Sequence, residues 1–95
     1  MPKGYMIFTE TIHDREAMKA YSEAAAKAVV GGPKPLAVDQ QPVVLEGEWP
    51  ATQTVVLEFE SVEAAQAWYQ SDAYQAAVPL RQAGADTDVV IISGF

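Results

Sequence analysis

The chain of 95 residues is long enough for one hydrophobic core and too short for two, so we expect a single domain over residues 1–95. Its hydrophobic share of 49%, with 20% charged residues, is typical of a folded globular domain. Thirteen acidic residues against six basic ones give a formal net charge of -7, which disfavours nucleic acid and anionic membrane surfaces as partners. The absence of cysteine excludes disulfides, thiolate metal sites and cysteine nucleophiles.

The start of the chain lacks the features of a secretory signal. Met1-Pro2-Lys3-Gly4 leads directly into a strand-like run, and no apolar segment approaches the roughly 20 residues that cross a bilayer. We therefore expect a cytoplasmic protein.

The first half of the chain predicts a strand, a helix and a second strand. Residues 5–12 are rich in aromatic and β-branched side chains and predict strand one. Asp14 is a predicted N-cap, and the apolar residues that follow recur at helical spacing until Gly31-Gly32-Pro33, which supplies a left-handed cap and a stop. Residues 34–46 predict a broken or bulged strand, and Pro35 and Pro42 favour the edge of a sheet.

The second half predicts a strand, a helix in two pieces and a last strand. Residues 54–60 alternate as a strand after a turn at 47–50. Ser61 precedes a helix over 62–69, and a further helical piece begins at Ser71-Asp72, which Pro79 should kink or end. A turn over 84–86 is expected before a strand over 88–94.

This order of elements predicts an α+β fold of the ferredoxin-like β-α-β-β-α-β type, with a four-stranded antiparallel sheet. Right-handed crossovers place both helices on one side of the sheet. Residues 5–8 and 89–92 are nevertheless apolar on both faces. We therefore expect a second copy of the chain to cover the bare face, and the alternative is that helices or termini of the same chain wrap around it.

Short segments along nearly the whole chain carry a resemblance to a known family. They are Gly4-Tyr5, residues 45–50, 58–61 and 67–71, Tyr74-Gln75, Leu80-Arg81 and residues 88–91. In these segments the chain resembles the bacterial family catalogued as domain of unknown function 1330. The resemblance implies a dimeric α+β barrel, a superfamily that includes cofactor-free monooxygenases, muconolactone-isomerase-like enzymes, haem-degrading enzymes and ligand-sensing domains. Pro79 departs from the helix former expected there, so the segment that holds Arg81 is expected to tilt.

Four residues are predicted to bind a small molecule in a cleft between sheet and helices: Tyr5, Thr9, Trp68 and Arg81. Tyr5 and Thr9 share one side of strand one. An arginine at position 81 is able to donate two parallel hydrogen bonds to a ligand carboxylate. The alternatives are core packing for Trp68 and an ion pair with an acidic neighbour for Arg81.

His13, the one histidine of the chain, is a weak candidate for a general acid or base, and the alternative is an exposed residue before a helix cap. The pairs Glu46 with Glu48 and Asp86 with Asp88 are better explained as solvated acidic turns than as cation sites. We expect no metal and no cofactor.

Two functions remain open from the sequence. The first is a small-molecule binding protein, with a cofactor-free enzyme as one form of it, and the second is a non-catalytic module that acts through its homodimer surface. The first is favoured because polar residues are scattered within apolar strands.

Overall fold

The computed structural model describes residues 2–29, 32–50 and 52–95. Its elements are β1 (Gly4–Ile12), α1 (Arg15–Ala28), β2 (Lys34–Asp39), β3 (Gln53–Phe59), α2 (Val62–Tyr69), α3 (Asp72–Gln75), α4 (Val78–Gly84) and β4 (Ala85–Ser93). The four strands form one antiparallel sheet in the order β2-β3-β1-β4. The predicted ferredoxin-like α+β fold is confirmed. Among the described residues, no helix combines the length and apolarity needed to cross a membrane.

The predicted starts of the helices are correct because each is held by a side-chain cap. Asp14 accepts hydrogen bonds from the backbone N–H groups of Glu16 and Ala17, both at 3.1 Å, and so caps α1. Ser61 accepts from the N–H of Ala64 at 3.0 Å and caps α2.

The end of α1 differs from the prediction. The helix ends at Ala28, with Val29 as its right-handed C-cap, whereas Gly31 lies outside the described residues. Among the glycines that the structure describes, Gly47 alone has a positive φ, of 73°, so Gly32 is not a left-handed cap. The indole N–H of Trp68 instead satisfies the carbonyl oxygen of Ala28 at 2.8 Å.

The second strand is an edge strand with a bulge between Pro35 and Ala37, as predicted, but it is shorter than expected. It ends at Asp39, whose carboxylate accepts a hydrogen bond from the N–H of Gln41 at 2.8 Å and turns the chain away from the sheet. Residues 43–45, which were predicted to continue the strand, lie exposed in the loop before β3.

The helical region after β3 has three pieces rather than two. Pro79 falls in the first turn of α4, where its missing N–H group is not needed, so it lies neither at a kink nor at an end. The predicted turn over 84–86 is absent, since α4 ends at Gly84 and β4 begins at Ala85.

The two faces of the sheet have different surroundings. Alternate β1 residues Gly4, Met6, Phe8 and Glu10 are buried beneath the helices, on what we call the helix face. Side chains from all four helices reach the core on this face; its buried members are Met6, Phe8, Ala28, Leu57, Phe59, Ala65, Tyr74 and Val78. The opposite, open face carries Tyr5, Ile7 and Thr9 of β1 with their cross-strand neighbours Thr54, Val56, Glu58, Asp88, Val90 and Ile92.

Candidate functional site

A cavity of about 270 Å³ lies between the helix face of the sheet and α1, and we call it the helix-side cavity. Its wall is mainly apolar, with side chains from β1, β3, α1 and the indole of Trp68. The polar side chains in the wall are Glu10, Tyr21, Ser22 and Gln53. A concave apolar space with a few polar groups is the usual form of a small-molecule site.

Glu10 is the buried acid of this site, with only 2% of its surface exposed. It lies on the helix face between its cross-strand neighbours Gln53 and Thr87, and the amide nitrogen of Gln53 donates to Oε1 at 2.7 Å. Burial raises the pKa of Glu10, and the bond from Gln53 and the charge of Arg81 only partly oppose this effect. The ion pairs among the described residues, Lys3–Glu60 and His13–Asp86, do not include Glu10.

A chain of hydrogen bonds leads from Arg81 to the cavity. The guanidinium Nη1 donates to the Tyr74 hydroxyl at 2.7 Å, and the hydroxyls of Tyr74 and Tyr21 are 2.8 Å apart. Arg81 is 4% exposed, Tyr74 is fully buried, and the guanidinium carbon lies 5.7 Å from the centroid of the Phe8 ring. Among the described residues, Tyr21 is the member of this chain that lines the helix-side cavity.

The direction of this chain follows from the chemistry of arginine. A guanidinium only donates, so Tyr74 accepts from Arg81. Either hydroxyl is able to donate in the bond between Tyr74 and Tyr21. Because Tyr74 is fully buried whereas Tyr21 lines the cavity, we infer that Tyr74 donates to Tyr21, which leaves the Tyr21 proton at the cavity. Burial raises the pKa of both phenols, so both remain protonated donors.

Two buried polar side-chain atoms lack a hydrogen-bond partner within the described part of the chain. They are Nε of Arg81 and the hydroxyl of Thr87. Thr87 stands directly across β4 from Glu10. Neither Arg81 nor Thr87 lines the helix-side cavity, so the polar end of that cavity is formed by Glu10 and Gln53.

The structure separates the four residues predicted to bind a ligand. Trp68 and Arg81 lie on the helix face, whereas Tyr5 and Thr9 lie on the open face, so the four do not share one cleft. The indole of Trp68 lines the cavity, and its ring centroid lies 4.1 Å from that of Tyr74. Its N–H donates to the carbonyl oxygen of Ala28. Arg81 has the buried phenol of Tyr74 as its partner in place of the ion pair that was the alternative.

The other titratable candidates lie outside the cavity. His13 is exposed at the end of β1, with Nε2 3.8 Å from Oδ1 of Asp86, and Asp14 is occupied as the cap of α1. Glu46 and Glu48 are exposed in the loop before β3. In residues 2–29, 32–50 and 52–95, no group of three histidine or acidic side chains is arranged to hold a metal ion.

Sequence reasoning did not single out Glu10 and Tyr21. A signal for Glu10 was present, because it continues the alternation of Met6 and Phe8 and so places a charge on the buried face of a strand. Tyr21 was assigned only to the apolar side of α1. Its closeness to Tyr74 joins residues that are 53 positions apart in the chain, which no local pattern indicates.

Comparisons with known proteins give one family and several structures of the same fold. The family described as Domain of unknown function (DUF1330) matches residues 3–95. No curated protein matches the chain.

Three solved structures illustrate the range of fold relatives. A protein of unknown function from Rhodopseudomonas palustris has a TM-score of 0.80 at 19% identity, covering 99% of this chain and 83% of its own. A dimeric ferredoxin-like protein of unknown function from Thermobifida fusca has a TM-score of 0.66 at 15% identity, and the match covers 97% of this chain and 91% of the other. SnoaB, a cofactor-independent oxygenase from Streptomyces nogalater, has a TM-score of 0.68 at 9% identity, with 100% and 95% covered. At these identities the likeness extends to the fold alone.

Proposed function

The chain belongs to the domain of unknown function 1330 family, and from the geometry of its cavity we propose that it binds a small, mainly apolar molecule between the sheet and α1. The observation that carries this proposal is the buried carboxyl of Glu10 in an apolar wall, with Gln53 as its hydrogen-bond partner and no ion-pair partner among the described residues. Burial of an acid without a salt bridge costs stability. Such a cost is common at functional sites, where carboxyl groups with shifted pKa values cluster.

The residues of this proposed site come from both the sheet and the helices. Glu10 and Gln53 form the polar end, Tyr21 and Trp68 line the wall, and Arg81 acts on the ligand through Tyr74 and Tyr21. We propose that the protein is an enzyme that needs no cofactor, because a carboxyl, a phenol and a buried cation are sufficient for acid–base chemistry. SnoaB, with the same fold, is described as a cofactor-independent oxygenase. This supports an enzyme without a cofactor as the general kind of function, but it does not indicate the reaction.

We further propose that two copies pack through their open faces. The molecule measures 35 × 33 × 16 Å, and its smallest dimension leaves room for one sheet and one layer of helices. Val90 and Ile92 on the open face are 51% and 47% exposed beside Tyr5, Ile7 and Val56. Relatives of the same fold from Thermobifida fusca and Bacteroides fragilis are described as dimeric.

The binding proposal is tested by filling the cavity. Ala25 of α1 lines it, so Ala25→Phe places a ring within the space, whereas Ala26→Phe adds the same ring to an exposed position of the helix. We expect small aromatic ketones and alcohols such as β-tetralone and β-naphthol to shift backbone NMR signals around Tyr21 and Val55. The shifts should vanish in Ala25→Phe and persist in Ala26→Phe. Binding that is unaffected by Ala25→Phe, or no shift with any such compound, would overturn the proposal.

The second candidate is a non-catalytic module that acts through its homodimer surface. It is favoured by Val43 and Leu45, which are 84% and 88% exposed in the loop before β3 and have no packing role within the described chain. On this alternative, ligand binding is absent and the backbone N–H groups of the same loop become protected from hydrogen exchange in the dimer.

A further inference from the structure

Two groups with complementary chemistry line the helix-side cavity. Glu10 offers a carboxyl oxygen that Gln53 does not occupy, and Tyr21 offers a hydroxyl proton that Tyr74 does not accept. A carboxylate is able to remove a proton from carbon, and a phenol backed by a cation is able to stabilise negative charge that forms on oxygen. A base and an oxyanion donor in one apolar space are the two requirements of proton transfer beside a carbonyl group.

We propose that the site catalyses proton transfer on a small carbonyl compound that carries an acidic C–H group next to its carbonyl, and this inference rests on the ligand-binding function. The Glu10 carboxylate takes the proton from that carbon, and the electron pair of the C–H bond becomes a C=C bond. The carbonyl π electrons move to oxygen, and the resulting enolate oxygen accepts the hydrogen bond from Tyr21. The protonated Glu10 then returns the proton to the same carbon or to another carbon of the conjugated system, so the step needs no oxidant or reductant.

Arg81 and Tyr74 act in this reaction as positioning residues. Tyr74 is held by the guanidinium at 2.7 Å and donates to Tyr21 at 2.8 Å, which leaves the Tyr21 proton directed to a further acceptor. The positive charge behind two phenols strengthens the last donor, and the buried setting strengthens it further because the local dielectric is low. The exposed phenol of a surface tyrosine has neither advantage.

The same wall limits the class of substrate. A cavity of about 270 Å³ with apolar lining favours a compact, ring-sized ketone. Anionic substrates are disfavoured while Glu10 is a carboxylate, because its charge faces the ligand and the chain has a net charge of -7. An enolate or a phenolate is accommodated when Glu10 holds the proton. The proposed substrate is therefore a small, uncharged cyclic or aromatic ketone.

Hydrogen exchange into β-tetralone tests the proton transfer. The full chain is mixed with this bicyclic ketone in D₂O, and the loss of the C–H signals beside its carbonyl is followed by proton NMR while binding is followed by backbone shifts. We expect the protein to speed the exchange, and Glu10→Gln to slow it about a hundredfold or more while binding is kept. Glu23→Gln is the control, since it removes an exposed carboxyl of α1 outside the cavity.

The outcomes separate this inference from the binding function. Binding of β-tetralone without faster exchange would overturn the proton transfer and leave the binding proposal standing. Exchange at an unchanged rate in Glu10→Gln would also overturn it. Failure of the ketone to bind would overturn both for this ligand class. Circular dichroism of each variant identifies a loss of fold, and the Tyr21→Phe variant supplies a second measurement if Glu10→Gln does not fold.

The role of the phenol chain is tested with para-nitrophenol, whose anion resembles an enolate and absorbs visible light. We expect the protein to bind the anion, Tyr21→Phe to weaken binding at least tenfold, and Tyr74→Phe to weaken it less. In the Tyr21→Phe background, Tyr74→Phe should have no further effect, because Tyr74 acts through Tyr21. Additive losses in the double variant would contradict the relay.

Discussion

At the scale of single residues, burial of the Glu10 carboxyl lowers the stability of the folded protein. Glu10 could be replaced by a neutral residue without loss of a salt bridge, since it has none among the described residues, and the only hydrogen bond to its side chain there comes from Gln53. The oxygen of an amide is also able to accept that bond. The charge of Glu10 is therefore not explained by folding, and function is the remaining physical reason for it.

This argument predicts the pH dependence of stability. The pKa of Glu10 is raised by burial above its ordinary value of 4.5, with Arg81 and Tyr21 as the nearby titratable groups. Between 4.5 and the folded-state pKa the folded protein holds a proton that the unfolded chain has released, so the unfolding free energy falls as pH rises through this window. The Glu10→Gln variant has no carboxyl at this position, so its unfolding free energy does not fall in this way.

We therefore expect Glu10→Gln to be more stable than the parent protein at pH 8 by roughly 0.5–1 kcal/mol, with the gain disappearing near pH 4. Urea unfolding at several pH values measures it. Glu23→Gln on the exposed side of α1 is the matched control and should show no such trend. A Glu10→Gln protein that is equally destabilised at every pH would show that the carboxylate has a structural role.

At the scale of elements, the site depends on how α4 meets α1. The carbonyl oxygen of Gly84 accepts from the N–H groups of His13 and Asp14 at 2.9 and 3.1 Å, which ties the end of α4 to the start of α1. A Cβ atom at position 84 would lie 2.9 Å from Cγ of Met18 and 3.0 Å from the oxygen of Asp14. Glycine is required at position 84 because the end of α4 and the start of α1 approach each other too closely for a side chain.

We expect Gly84→Ala to lower the unfolding free energy by about 1–3 kcal/mol, as overpacking usually does, and to displace Arg81 from Tyr74. Thermal unfolding measures the first effect, and weaker binding of para-nitrophenol reports the second. Gln82→Ala on the exposed side of α4 is the control and should stay within about 0.5 kcal/mol of the parent. A Gly84→Ala variant of unchanged stability would mean that α4 shifts freely relative to α1.

At the scale of the whole molecule, one face of the sheet is covered and the other is not. The helices bury Met6 and Phe8, whereas Ile7 between them lies on the open face with Val56 and Val90. Apolar burial is worth about 25 cal/mol per Å², so a contiguous patch on a sheet favours association. A second copy offers a face of the same size and character.

We expect light scattering after size-exclusion chromatography to give twice the chain mass of 10.3 kDa. Val90→Glu places a charge in the middle of the open face and should give the single-chain mass with the fold retained. Ala26→Glu on the exposed side of α1 should leave the larger mass unchanged. A parent protein that stays at the single-chain mass at micromolar concentration would exclude the proposed dimer.

The sequence by itself determined the order of the strands and the starts of α1 and α2, because these depend on local chemistry, and its resemblance segments identified the family. Asp14 and Ser61 cap helices through backbone groups within three residues, and alternation in β1 assigns each side chain to a face. Pro79 shows the limit of such reasoning, since its effect depends on whether a new helix begins at Val78.

Tertiary structure alone decided which residues share a site. Trp68 and Arg81 lie on one side of the sheet and Tyr5 and Thr9 on the other, although the sequence placed all four in one cleft. The Arg81–Tyr74–Tyr21 chain joins α4, α3 and α1, and it exists only because these helices pack on the same face above Glu10. Such contacts between distant segments arise from packing and from the need to satisfy buried polar groups, and neither leaves a periodic pattern in the sequence.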